Sequence, residues 1–187
     1  MILVYLIALA LLVGLIRGGS LRHYIARPLR GVYLPCLAFL LEAALDKLPG
    51  WLNLPPRVCL IGEVALQYAL LLLFCLLNRR RRGMKLMMLG VLMNMAVIFA
   101  NGFQMPVADF ARQIPSLQGT LARIDAGELM EYAIKGPDAP LYFLGDVIYL
   151  PFLPGGLASA GDFLLGAGVF VLLLDMMKSP SKKEETN

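Results

Sequence analysis

Histidine is almost missing: His23 is the only one in 187 residues. A zinc centre built on several imidazoles and a Ser-His-Asp triad are therefore excluded. Cysteine is nearly as sparse. Cys36, Cys59 and Cys75 stand apart inside apolar runs, without metal-ligand spacing, and an odd number gives no disulfide framework. They read as small apolar packing residues. Charge is scarce too, with 16% charged residues against 59% hydrophobic ones and a mean hydropathy of +0.72. That is too apolar for an ordinary soluble domain of this length. No P-loop, dinucleotide fingerprint or nucleophile elbow occurs, so no catalytic residue, metal or cofactor is assigned. Residues 1–16 lack a positive n-region and a small-residue cleavage site, and do not read as a cleavable signal.

What the chain does have is positive charge in blocks between apolar stretches. Arg17, Arg22, Arg27 and Arg30 form one block, and Arg79, Arg80, Arg81, Arg82 and Lys85 another. Lys178, Lys182 and Lys183 follow the last apolar stretch. The intervening regions hold only Lys47 and Arg57, then Arg112, Arg123 and Lys135 among acids. This alternation is the positive-inside pattern of a polytopic membrane protein, with the N-terminus out and the C-terminus in. The basic residues border apolar segments, so they point to anionic headgroups and not to nucleic acid. Arg22, Arg27, Arg30, Arg79, Arg80, Arg81 and Arg82 are the expected headgroup contacts. Residues 20–30 read as an interfacial helix: Leu21, Tyr24, Ile25, Pro28 and Leu29 share one face.

The pattern predicts an all-α integral membrane protein, a five-helix transmembrane bundle forming a single domain over residues 1–178. Spans fall at about 1–16, 32–48, 57–77, 86–100 and 159–177, with a disordered cytoplasmic tail at 179–187. Trp51 sits in a short outer turn, where an indole suits the interface. Residues 103–158 form an outer segment with helical pieces near 108–114 and 117–132. Residues 141–153, broken by Gly145, Asp146 and Pro151, read as a re-entrant or interfacial hairpin.

Ionisable and amide side chains inside such a bundle are costly and are candidates for function. Counting along each span places Glu42, Glu63, Asn101, Gln104, Asp146 and Asp162 toward the outer side and Gln67 and Asn94 near the middle, as an outward-facing polar pocket floored by Gln67 and Asn94. Carboxylates held in a poorly hydrated site raise one another's pKa or share a cation. The competing reading makes them interhelical hydrogen bonds, and Ser159-x-x-Asp162 is also a capping-box pattern. Met84, Met87, Met88, Met93 and Met95 lack Cys or His neighbours and read as adaptable packing, not as a copper site.

Four strings occur together: Arg17-Gly-Gly-Ser-Leu-Arg22, Ala100-Asn-Gly-Phe-Gln-Met-Pro-Val107, Phe143-Leu-Gly-Asp146 and Ser159-Ala-Gly-Asp162. In these the chain resembles an uncharacterised family of small bacterial membrane proteins, domain of unknown function 5317. The resemblance implies a multi-pass protein of the bacterial plasma membrane and brings no activity with it. The functional expectation is a transport or sensing accessory whose pocket binds a small solute, cation or proton. A structural subunit that assembles with a partner membrane protein is the alternative, supported by Gly14/Gly18 and Gly161/Gly168 on helix faces. A membrane enzyme acting on a lipid-linked substrate is the weakest reading.

Overall fold

The computed structural model describes residues 2–20, 22–23, 28–45, 55–152 and 156–178, the side chains of residues 42–45 excepted. Helix α1 (Ile2–Ile16) is an unbroken apolar run that ends where Gly18 takes φ +76°, a left-handed value that suits glycine at a helix C-terminus. Helix α2 (Tyr33–Leu45) carries Pro35 in its first turn, where no intrahelical N–H bond is lost. Helix α3 (Pro56–Leu77) starts on a proline at its first position. Helix α4 (Met84–Ala100) follows Gly83, itself at φ +80°. The short helix α5 (Gln118–Asp125) lies in the outer segment, and α6 (Ala160–Met177) closes the described chain.

Helix α6 packs between α1 and α4, α2 packs on α3, and α3 meets α4. Glycine sets the closeness of α4 and α6. A Cβ on Gly90 would stand 2.5 Å from the Gly161 carbonyl oxygen, and one on Gly168 would stand 2.5 Å from the Met87 backbone nitrogen. Gly14 instead makes room for the end of the Met177 side chain. The glycine faces thus bring the chain's own helices together, as small residues do wherever backbones approach. One core cluster joins Leu34, Phe74, Cys75, Met84, Met87, Leu172 and Met176. Met84 and Met87 serve there as packing.

The helices run alternately, so each end of the structure has its own character. At one end the Ser20 N–H donates to the Met177 carbonyl (2.9 Å). Asn78 there accepts from the Arg30 N–H at 2.9 Å and donates to its carbonyl at 2.8 Å. Arg79–Arg82 lie at this end, with Arg82 3.5 Å from Asp175. The opposite end carries residues 101–158.

That segment corrects the expected fold class. It is not helical throughout. Strand β1 (Met105–Ala108) pairs in parallel with β2 (Tyr132–Lys135), and β3 (Ile148–Tyr149) pairs antiparallel with β4 (Leu157–Ala158). Parallel strands need a crossover connection. Here it consists of two 3₁₀ turns (Asp109–Gln113 and Pro115–Leu117) and α5. The helices expected near 108–114 and 117–132 shrink to these pieces, with Ala108 and Tyr132 at their outer limits going into strands. Val107, Ala111, Leu117 and Leu121 then make a core of their own. The expected re-entrant stretch becomes a 3₁₀ turn (Tyr142–Leu144) followed by β3.

The expected five-helix transmembrane bundle is overturned as well. Among the described residues, two helices are long and apolar enough to cross a bilayer: α3, with 22 residues and mean hydropathy 2.2, and α6, with 18 residues and 1.8. A hydrocarbon core of about 30 Å takes ~20 helical residues. Helices α1 and α4, with 15 and 17 residues, stop short of that at Gly18 and at Asn101-Gly102, and α2 has 13. In α1 and α4, turn residues end the helix before the length of a full span is reached. The interfacial helix falls mainly on residues 21 and 24–27, which with Trp51 and the 179–187 tail lie outside the described residues.

Candidate functional site

The site grows from two Gly-Asp pairs, each placed by its glycine. Ser159 caps α6. Its Oγ accepts from the Asp162 N–H (3.0 Å), while Asp162 Oδ2 accepts from the Ser159 N–H (3.2 Å), the reciprocal capping box that the spacing predicts. Gly161 makes room for a third partner. A Cβ there would collide with the amide of Asn94. With that space open, Asn94 Nδ2 donates to Asp162 Oδ1 at 2.8 Å and Asn94 Oδ1 accepts from the Ser159 hydroxyl at 2.9 Å. Asn94 and Ser159 are buried. Asp162 therefore has both oxygens committed, and α4 is tied to the start of α6.

Gly145 does the same for Asp146. A Cβ on Gly145 would lie 2.6 Å from the Pro106 carbonyl oxygen. Without one, the Asp146 N–H donates to that oxygen at 2.8 Å, and the Ala108 N–H donates to the Asp146 carbonyl at 3.2 Å. Strand β1 is thus held by β2 on one side and by Asp146 on the other. The Asp146 carboxyl turns inward. Its Oδ1 is closed off from solvent and has no hydrogen-bond partner among the described residues. An unsatisfied buried oxygen costs about 1–3 kcal/mol, and more when charged. Burial pushes this carboxyl up to about 7, the Asp162 charge adds to that, and the positive amino terminus opposes it.

Two cavities of about 300 Å³ meet at this pair. One lies inside the outer segment, between α5 and β4, with Val107, Leu121, Ile124 and Leu157 on its walls. The other lies between that segment and the helix ends, bounded by Gln67, Asn94, Phe103, Glu131 and Leu165. Asp146, Asp162, Tyr132 and Ile2 line both.

Of the residues singled out in the sequence, Gln67, Asn94, Asp146 and Asp162 come together here. Glu63 is buried one turn from Gln67 on α3 and lines neither cavity. Glu42 falls on α2, and its side chain lies outside the described residues. Asn101 and Gln104 fasten the outer segment. Asn101 Nδ2 donates to the carbonyls of Val97 and Pro140, and its Oδ1 accepts from Lys135 Nζ. Gln104 Nε2 donates to the Met130 carbonyl at 2.8 Å. Arg30 and Arg79–Arg82 gather at the far end of the helices. Arg22 is exposed, and Arg27 lies outside the described residues. Ser159 as an amide partner and Tyr132 as a shared wall were not singled out. A serine ahead of a helix reads only as a cap, and a tyrosine in a four-residue strand carries no period.

The family model of DUF5317, a family of unknown function, matches residues 28–174. The chain belongs to that family. A Thermotoga maritima protein described as uncharacterized is 28% identical over 174 residues, which is 93% of this chain and 90% of that one. No solved structure matches. In this DUF5317 chain the matched region contains both Gly-Asp pairs and Asn94, the partner of Asp162 and Ser159.

Proposed function

We propose that this DUF5317 protein is a multi-pass protein of the bacterial plasma membrane, a transport or sensing accessory whose outer pocket binds a small solute, cation or proton. The observation that carries the reading is Asp146 at the junction of two cavities, its Oδ1 without a partner among the described residues, set against a second carboxylate whose two oxygens are both hydrogen-bonded. Perturbed titratable groups in cavities are where binding chemistry concentrates.

Membrane placement draws support from α3 and α6 and from what surrounds them. Only 28% and 33% of their apolar windows are buried within the chain. Val4 on α1 and Leu40 on α2 are exposed by two thirds. An apolar surface this broad fits lipid. The arginine-bearing end fits the cytoplasmic leaflet and its anionic headgroups, which puts the pocket end outside. The assembly-subunit reading drew on glycine faces, and Gly14, Gly161 and Gly168 are filled by the chain's own helices.

The test is a thermal-unfolding screen of the full chain in detergent against inorganic cations, amines and neutral polar solutes, with Asp146→Asn alongside. A compound that binds the folded state raises Tm by mass action. A rise in the native protein that the variant lacks supports the pocket. The absence of any shift across the screen refutes it.

A further inference from the structure

We propose that the Asp146–Asp162 pocket takes a primary ammonium ion with a compact apolar body, which displaces the proton from Asp146 when that carboxyl is protonated. This rests on the pocket reading above and names its ligand class. Asp146 Oδ1 is a buried acceptor with no donor among the described residues, and Asp146 lines both cavities where they meet. A primary ammonium brings three donors and a charge, which suits one free carboxyl oxygen facing a second carboxylate.

The walls select the rest of the ligand. Leu121, Ile124, Leu150 and Leu157 line the first cavity, with Thr120 as its neutral hydroxyl. About 300 Å³ of largely apolar space has no use for a bare proton and fits a small organic body. A metal ion is a poor match, since no three His, Cys, Asp or Glu side chains among the described residues form a cluster able to hold one. The charges around Asp146 also favour a cation. Asp162 faces it from α6, while Glu131 and the Tyr132 phenol stand on the wall of the second cavity; among the described residues no Lys or Arg lines either space.

The exchange makes no covalent bond to the ligand. The protonated Asp146 carboxyl gives up its O–H proton to solvent, and the resulting carboxylate accepts N–H hydrogen bonds from the ammonium. Asp162 stays fixed by Asn94 and Ser159 throughout. Because burial and the Asp162 charge push the Asp146 carboxyl up to about 7, the proton is there to be released in mildly acidic surroundings.

Calorimetric titration of the full chain in detergent tests this. The probes are benzylammonium, its neutral counterpart benzyl alcohol, and potassium ion, in buffers of different ionisation enthalpy at pH 6 and pH 8. A carboxyl titrating near 7 gives release of about 0.9 proton per benzylammonium at pH 6 and about 0.1 at pH 8, with roughly tenfold weaker binding at pH 6. Asp146→Asn loses benzylammonium binding at least tenfold while its Tm stays at or above the native value. The native-protein proton count keeps the test decisive even if that variant misfolds. Benzyl alcohol binding equally well without proton release, or potassium displacing the amine at equal concentration, overturns the ammonium proposal and leaves the pocket reading standing. If neither these probes nor the wider solute screen shifts the protein, both fall.

Discussion

Asp146 should make this protein less stable as pH rises, and replacing it with asparagine should remove that loss. Its carboxyl moves from an ordinary 3.8 to about 7 on folding. Between those values the folded chain binds more protons than the unfolded one, so stability is greatest below about 4 and declines as pH climbs through about 7. The shift spans roughly three pH units at 1.36 kcal/mol each, on the order of 4 kcal/mol. Asparagine keeps the shape and carries no charge to bury. Asp146→Asn should therefore exceed the native protein by roughly 1.5 kcal/mol at pH 5 and by about 4 kcal/mol at pH 8, where the larger difference raises Tm by roughly 10 °C for a chain of this length. Thermal unfolding in detergent at half-unit steps from pH 5 to 8.5 reads both curves. Native and variant curves that stay parallel over that range would refute the argument. So would a variant that is less stable at pH 8.

Other consequences follow from single contacts. Asn94→Ala strands the Ser159 hydroxyl and Asp162 Oδ1 together; denaturant titration should show a loss of about 2–4 kcal/mol. Gly168→Ala puts a methyl against the backbone of Met87 and Gly83, forcing α4 from α6 at about 3 kcal/mol or more. Gly62→Ala, whose added methyl meets nothing within 4 Å on α3, should instead gain up to about 1 kcal/mol in the same assay. At the arginine-bearing end, Asn78→Leu removes both bonds to the Arg30 backbone and one to the Phe74 carbonyl. Its expected cost is about 2–3 kcal/mol, with faster amide exchange at Arg30 and the first turn of α2.

The sequence was readable wherever one long-range regularity governed it. Apolar runs located the principal helices within a few residues, and Ser159-x-x-Asp162 announced a helix start. Reading stopped where structure turned local and tertiary. Strands of two to four residues leave no period to detect, and β1 and β2 are 23 residues apart, joined by a crossover that composition alone renders as helix. Length misled for a related reason: hydropathy averages over a run, whereas a helix ends at one residue with the wrong backbone angle, such as Gly18 or Gly102.

The site shows a subtler limit. Asn94, Asp146 and Asp162 were chosen as costly polar residues in apolar surroundings, and they do converge. Yet nothing in the chain separates Asp146 from Asp162 as letters: each follows a glycine, and each lies beside an apolar stretch. Their difference is made by what the glycine admits. Gly161 clears the way for the Asn94 amide, which satisfies Asp162. Gly145 clears the way for the Pro106 carbonyl, which binds the Asp146 backbone and leaves its side chain unanswered. The same two-residue string thus builds a structural carboxylate in one place and an unsatisfied one in the other. This is why ligand chemistry is sought at Asp146, while Asp162 serves as the fixed charge beside it.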